Sequence, residues 1–115
     1  MVASLIVFPG YSQKAEEYFD KGNAKFNLQD FIGAISKYNK AIELKPDYTD
    51  AYINRGAVKV ELQNFKGALD DFNRAIKLDP IQALAYFNRG VVNGNLQNFS
   101  RAIADLDRAI ELSSY

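Results

Sequence analysis

From Phe31 onward the apolar residues gather into three similar clusters. Ala34, Ile35, Tyr38, Ala41, Ile42 and Leu44 recur as Ala68, Leu69, Phe72, Ala75, Ile76 and Leu78, and again as Ala102, Ile103, Leu106, Ala109, Ile110 and Leu112. Spacings of three and four residues put each set on one broad helical face. The segments between them are less tidy: Ala15, Tyr18, Phe19, Ala24, Phe26 and Leu28 are too spread for one stripe, as expected of a helix contacted on two sides. The pattern predicts six helices, at roughly 15–28, 31–44, 49–62, 65–78, 83–96 and 99–112. Gln29-Asp30, Gln63-Asn64 and Gln97-Asn98 recur as polar breaks, where Asp and Asn side chains bond the local backbone or cap the next helix. Pro46 and Pro80 stop the second and fourth helices, because the residue before a proline is pushed out of the helical region. Asp47, Thr49 and Asp79 supply polar linker chemistry before the next helix.

The clusters belong to one longer period. Gly22, Gly56 and Gly90 fall 34 residues apart, and Tyr18, Tyr52 and Tyr86, Leu28, Leu62 and Leu96, and Phe31, Phe65 and Phe99 keep the same register. A fixed period of this size marks a repeat architecture. With units counted from Ala15, Thr49 and Ala83, an aromatic stands at position 4, Gly at 8, Ala at 20, a large apolar residue at 24, Ala at 27 and Pro at 32 in the first two units. This pattern resembles the tetratricopeptide repeat (TPR). It departs from the family at position 7, which is Lys21, Arg55 and Arg89 rather than Leu, and at position 11, where Lys25, Lys59 and Asn93 replace Tyr; Ser114 replaces the third Pro. The resemblance implies an all-α fold, an α-solenoid of helix-turn-helix hairpins in a short right-handed superhelix. Its units are 15–48, 49–82 and 83–115, with 1–14 an apolar tail or cloning remnant.

The small residues have a steric reading. Gly at position 8 and Ala at 20 remove volume where the helices of a hairpin cross, and Ala at 27 does so where the next unit arrives. Position 7 invites two readings. Asp71 and Asp105 occupy position 23 in the units that carry Arg55 and Arg89, whereas the Lys21 unit has Lys37 there. That covariation points to Arg–Asp pairing within the scaffold; the alternative is a cationic column that reads an anionic ligand.

The resemblance also implies that positions 2, 5, 6, 9, 12 and 13 of each unit face a concave groove. Its expected lining includes an apolar line of Phe19, Ile53 and Phe87, with Val91 beside it, and an amide line of Asn23, Asn54 and Asn88. Asparagine amides donate and accept at once, so the amide line is expected to bind the backbone of an extended segment, with neighbours about 10 Å apart as helices pack. Co-chaperone members of the family grip a terminal carboxylate with Lys, Asn, Asn, Lys and Arg at positions that are here Phe19, Asn23, Asn54, Leu84 and Asn88. Both asparagines match and the three cations are missing, which favours a more apolar ligand.

Composition removes several chemistries. The 115 residues carry 14 basic and 14 acidic side chains, no Cys and no His. Cysteine nucleophiles, thiolate zinc sites and histidine acid-base chemistry therefore have no residues to use, and the charges are too interspersed for a phosphate-tracking surface. Glu16-Glu17 and Asp70-Asp71 are adjacent in sequence and point apart on a helix; no phosphate loop or nucleophile elbow is present. The chain reads as a non-enzyme without cofactor or metal, with neither a nucleic-acid partner nor a membrane span, and as cytoplasmic.

The mostly apolar run Val2 to Phe8 is closed by Pro9-Gly10, a turn signal, and Ser12 is the expected N-cap of the first helix. The run is too short to span a membrane. Three readings stand: an unstructured leader, a segment packed on an open end of the solenoid, and a trimmed export signal. Two functions remain in view. One is a protein-interaction module holding a partner's peptide in the groove. The other is a self-assembling repeat, a homo-oligomer formed through Ile103, Leu106 and Ile110 on an uncapped last unit, or a fragment of a larger scaffold.

Overall fold

The structure, a computed structural model, describes residues 9–114; the run Val2 to Phe8 and Tyr115 lie outside them. Six helices follow in order: α1 (Pro9–Asn27), α2 (Phe31–Leu44), α3 (Thr49–Glu61), α4 (Phe65–Leu78), α5 (Ala83–Asn95) and α6 (Phe99–Ser113). They pair as three antiparallel hairpins, α1 on α2, α3 on α4 and α5 on α6, and each hairpin stacks on the next. Among the described residues no helix is long and apolar enough to cross a membrane.

The first helix corrects the sequence reading. Pro9 and Gly10 open α1 instead of closing a turn, since a proline in the first turn gives up an N–H that had no helical partner anyway. Ser12 lies inside that helix and is not its N-cap.

The three hairpin turns share one geometry. Gln29, Gln63 and Gln97 adopt the left-handed conformation, with φ of 62°, 60° and 63°. Each follows a Schellman pattern: Asp30 N–H bonds the Lys25 carbonyl and Gln29 N–H bonds that of Phe26, both at 2.9 Å, and the same pair of bonds recurs after α3 and α5. Orphan carbonyls at the helix ends are thereby satisfied. Asp30 and Asn64 then cap α2 and α4, accepting from Gly33 N at 2.9 Å and Gly67 N at 3.0 Å. Asn98 makes no such bond. Its unit has Arg101 where the others have glycine, and a Cβ at Gly33 or Gly67 would run into the capping side chain.

Within each hairpin the position-8 glycine lies under the position-24 side chain. A Cβ on Gly22 would stand 2.5 Å from the Tyr38 ring, one on Gly56 2.5 Å from the Phe72 ring, and one on Gly90 3.0 Å from Leu106. Tyr38 and Phe72 are completely buried as a result. The core then passes from unit to unit: Tyr38 packs with Ala34 and Val58, and Phe72 with Ala68 and Val92. Between these layers, Ile53 and Tyr52 meet Ala75 and Ala85. The position-4 tyrosines lock successive units, Tyr52 and Tyr86 donating their hydroxyls to the carbonyls of Pro46 and Pro80 at 3.0 Å.

Two substitutions in one hairpin should move stability in opposite directions. Gly56→Ala pushes a methyl group into the Phe72 ring and should cost about 1–3 kcal/mol by overpacking. Gln63→Gly relieves a left-handed non-glycine residue and should gain about 1 kcal/mol. Urea melts of the two variants read both signs.

Candidate peptide-binding groove

The two arginines of the position-7 column are scaffold. Arg55 donates to the buried Asp71 through Nε at 2.9 Å and a terminal nitrogen at 2.6 Å, and its other terminal nitrogen reaches Asn39 of the preceding unit at 2.8 Å. Its guanidinium also lies over the Tyr52 ring. Arg89 repeats the arrangement with Asp105, Asn73 and Tyr86. Lys59 adds a second cation to Asp71 at 3.0 Å, and Asn93 takes that place on Asp105 at 3.1 Å. These guanidinium groups are committed to bonds between helices and between units, which answers the ligand-reading alternative.

The first, third and fifth helices line a shared surface. Phe26 from α1, Ala57, Val60 and Glu61 from α3, and Phe87, Asn88 and Val91 from α5 enclose a recess of about 160 Å³ floored by Phe72. Asn88 is half-buried there and, among the described residues, its amide has no side-chain partner. Val91 is 40% exposed. A single apolar side chain fits such a recess, and Asn88 can bond the backbone beside it.

The other expected groove residues behave differently. Ile53 is only 3% exposed and packs with Ala75 and Ala85, so it belongs to the core and not to an exposed apolar line. The cause is the arrival of α5, which covers position 5 of the preceding unit. Phe19, at the same position, is half-buried and covered by rings, 5.9 Å from Tyr38 and 5.0 Å from Tyr48 between centroids. Phe87 is 49% exposed, because among the described residues no helix follows α6.

The amide line is also corrected. Asn54 Nδ2 donates to Asn23 Oδ1 at 2.9 Å, so these residues touch instead of standing one helix spacing apart, and the Tyr38 hydroxyl donates to the same oxygen. Asn23 stands one turn further along α1 than Asn54 does along α3, and the stagger between units brings them together. The motif has an apolar counterpart in the next unit, where position 9 is Ala57 and position 24 is Phe72. Burial pushes the Tyr38 pKa up to about 12, and the side-chain bond from Asn54 draws it partly back.

At the far end, Leu84, Phe87, Leu106, Ala109 and Ile110 line an open recess of about 690 Å³. Ile110 is 65% exposed and Leu106 half-buried; Ile103, 62% exposed, lies outside this recess.

Comparison with known proteins settles the family. The TPR repeat pattern matches residues 22–63 and 58–97, and the tetratricopeptide repeat pattern matches 83–115. The chain belongs to the tetratricopeptide repeat family. No curated protein matches it. Among solved structures it is similar to the Arabidopsis OM64 TPR domain, with 31% identity, a TM-score of 0.88, and 90% of this chain and 85% of that one covered. The first TPR of Spaghetti (RPAP3), bound to the HSP90 peptide SRMEEVD, gives 33% identity, a TM-score of 0.86 and coverage of 88% and 80%. The TPR2B domain of yeast Sti1, in a pHsp70 complex, gives 30%, 0.87, and 90% and 82%. TPR domains are in general interaction modules and not enzymes, and this chain has that fold throughout the compared residues.

Tyr38 provides a test of the buried network. Its pKa is above the ordinary 10.0, so the unfolded chain loses this proton first, and stability should fall as pH rises from about 10 towards 12. Tyr48 contributes in the same direction. In Tyr38→Phe the alkaline loss should shrink without vanishing, while neutral-pH stability drops by about 0.5–1.5 kcal/mol from the lost hydrogen bond; melts at neutral and alkaline pH measure both.

Proposed function

We propose that this TPR array holds a peptide segment of a partner protein across the concave face of α1, α3 and α5, and that it does so without catalysis. The observation that carries the reading is the open recess at Val60, Phe87 and Val91, mainly apolar with Glu61 on its wall, and flanked by the amide of Asn88, which is unpaired among the described residues. One similar TPR domain is described bound to an HSP90 peptide and another in a pHsp70 complex, which supports peptide binding but not the same ligand. The positions where co-chaperones carry clamp cations are here Phe19, Leu84 and Asn88. An acidic terminal tail would meet no lysine or arginine at any of them, so the ligand of this groove is an internal segment with an apolar anchor.

Self-assembly by continuing the array is the weaker reading. Ala51 and Ala85, at position 3, are fully buried against the preceding unit, and the first unit has Glu17 there. Stacking α1 of a second copy on the open α5–α6 end in the same register would bury that carboxylate among apolar groups, at a cost of several kcal/mol unless it found a partner.

Peptides selected from a random displayed library on the intact chain provide the probe. Asn88→Ala should weaken the selected peptides by about 0.5–1.5 kcal/mol, and Val91→Asp by about 1–3 kcal/mol through the charge placed in the recess. Titration by fluorescence anisotropy, on variants that melt like the parent, measures both. Affinity unchanged in both variants but lost in Ile110→Asp would move the site to the open end.

A further inference from the structure

The concave face has a charge of its own. Its expected positions in the three A helices hold Glu16, Asp20, Asp50 and Glu61 and not one lysine or arginine. All four carboxylates are exposed. Among the described residues none has a cation within ion-pair distance; the bridged acids are Asp30, Asp71, Asp105 and Glu111. Three of the four converge on Tyr48, whose pKa is raised to about 12 by burial first and then by Glu16, Asp20 and Asp50 in turn. Lys45 stands 4.6 Å above the Tyr48 ring, one cation against three carboxylates.

The face is also graded along the array. Position 2 reads Glu16, Asp50, Leu84 and position 6 reads Asp20, Asn54, Asn88 from the first unit to the third. Glu16, Asp20 and Asp50 place most of the acid towards the first-unit end, the Asn23–Asn54 pair bridges the middle, and the recess with Phe87, Asn88 and Val91, which Glu61 also lines, lies towards the third-unit end.

We infer that the groove selects a segment carrying lysine or arginine at one end and an apolar anchor at the other, the reverse in charge of the acidic chaperone tail seen on a similar domain. This deepens the peptide-binding reading and rests on it. The apolar residue enters the recess on α5, Asn88 bonds the backbone beside it, and the cations lie over Glu16, Asp20 and Asp50. Two helix spacings of about 10 Å separate the ends, and an extended peptide rises about 3.3 Å per residue, so cation and anchor stand about six residues apart. Complementary charge of this kind sets specificity and encounter rate more than raw affinity, and it weakens as salt screens it.

The test uses the full chain and two probe peptides, made in both chain directions. Both carry the same leucine pair about six residues from a charged end that is either lysines or glutamates. At low salt the lysine probe should bind at least about tenfold tighter than the glutamate probe, and the gap should narrow in high salt. The exposed double variant Asp20→Asn, Asp50→Asn should remove most of that gap, whereas Asn88→Ala should weaken both probes and keep it. Equal binding of the two probes, tighter binding of the glutamate probe, or a gap untouched by the double variant overturns the charge assignment and leaves the groove standing. If neither probe binds, the groove reading itself fails and the charge assignment with it.

Discussion

In each hairpin a side chain is laid over a glycine, and the rest of the molecule follows from it. Tyr38 over Gly22, Phe72 over Gly56 and Leu106 over Gly90 bring the two helices to a distance that a single methyl group would obstruct. At that distance Ala34 and Ala68 are completely buried, and Val58 and Val92 from the following unit close the layer. One steric choice, made three times, sets how hairpins stack. It also decides which side of α1, α3 and α5 remains for a ligand.

The polar network works on the same frame. Asp71 and Asp105 are buried carboxylates, tolerable only because bidentate guanidinium groups and a further donor satisfy them. Each arginine also reaches an asparagine of the preceding unit, so register between units is held by directional bonds as well as by packing. The first unit has Lys21 and Lys37 around Tyr18 in place of the Arg–Asp pair.

Much of this was legible in the residues. The 3.6-residue period and the 34-residue repeat located α2 to α6 to within a residue at each end, and the Arg–Asp partnership showed as covariation between units of one chain. The start of α1 was hidden because Pro-Gly serves equally as a turn and as a helix opening. Ile53 was misplaced because sequence position alone does not show that the next unit covers position 5, and the meeting of Asn23 with Asn54 depends on a stagger that no single helix reveals. The charge of the concave face was readable throughout, as the lack of any Lys or Arg at its positions. Glu16, Asp20, Asp50 and Glu61 stand at them.

Family membership and the proposed choice of ligand therefore rest on different residues. The glycines, alanines and tyrosines that make the chain a TPR array face inward, while Asn88 and Val91 line the recess on α5, and the positions that carry clamp cations in co-chaperones are here Phe19, Leu84 and Asn88. Amide hydrogen exchange, with and without a saturating basic-apolar peptide, tests most directly that the concave face binds. Added protection should fall on α1, α3 and α5, strongest around Asn88 and Val91, with α2 and α4 unchanged. Protection confined to α6, or spread along the helix B faces, would contradict it.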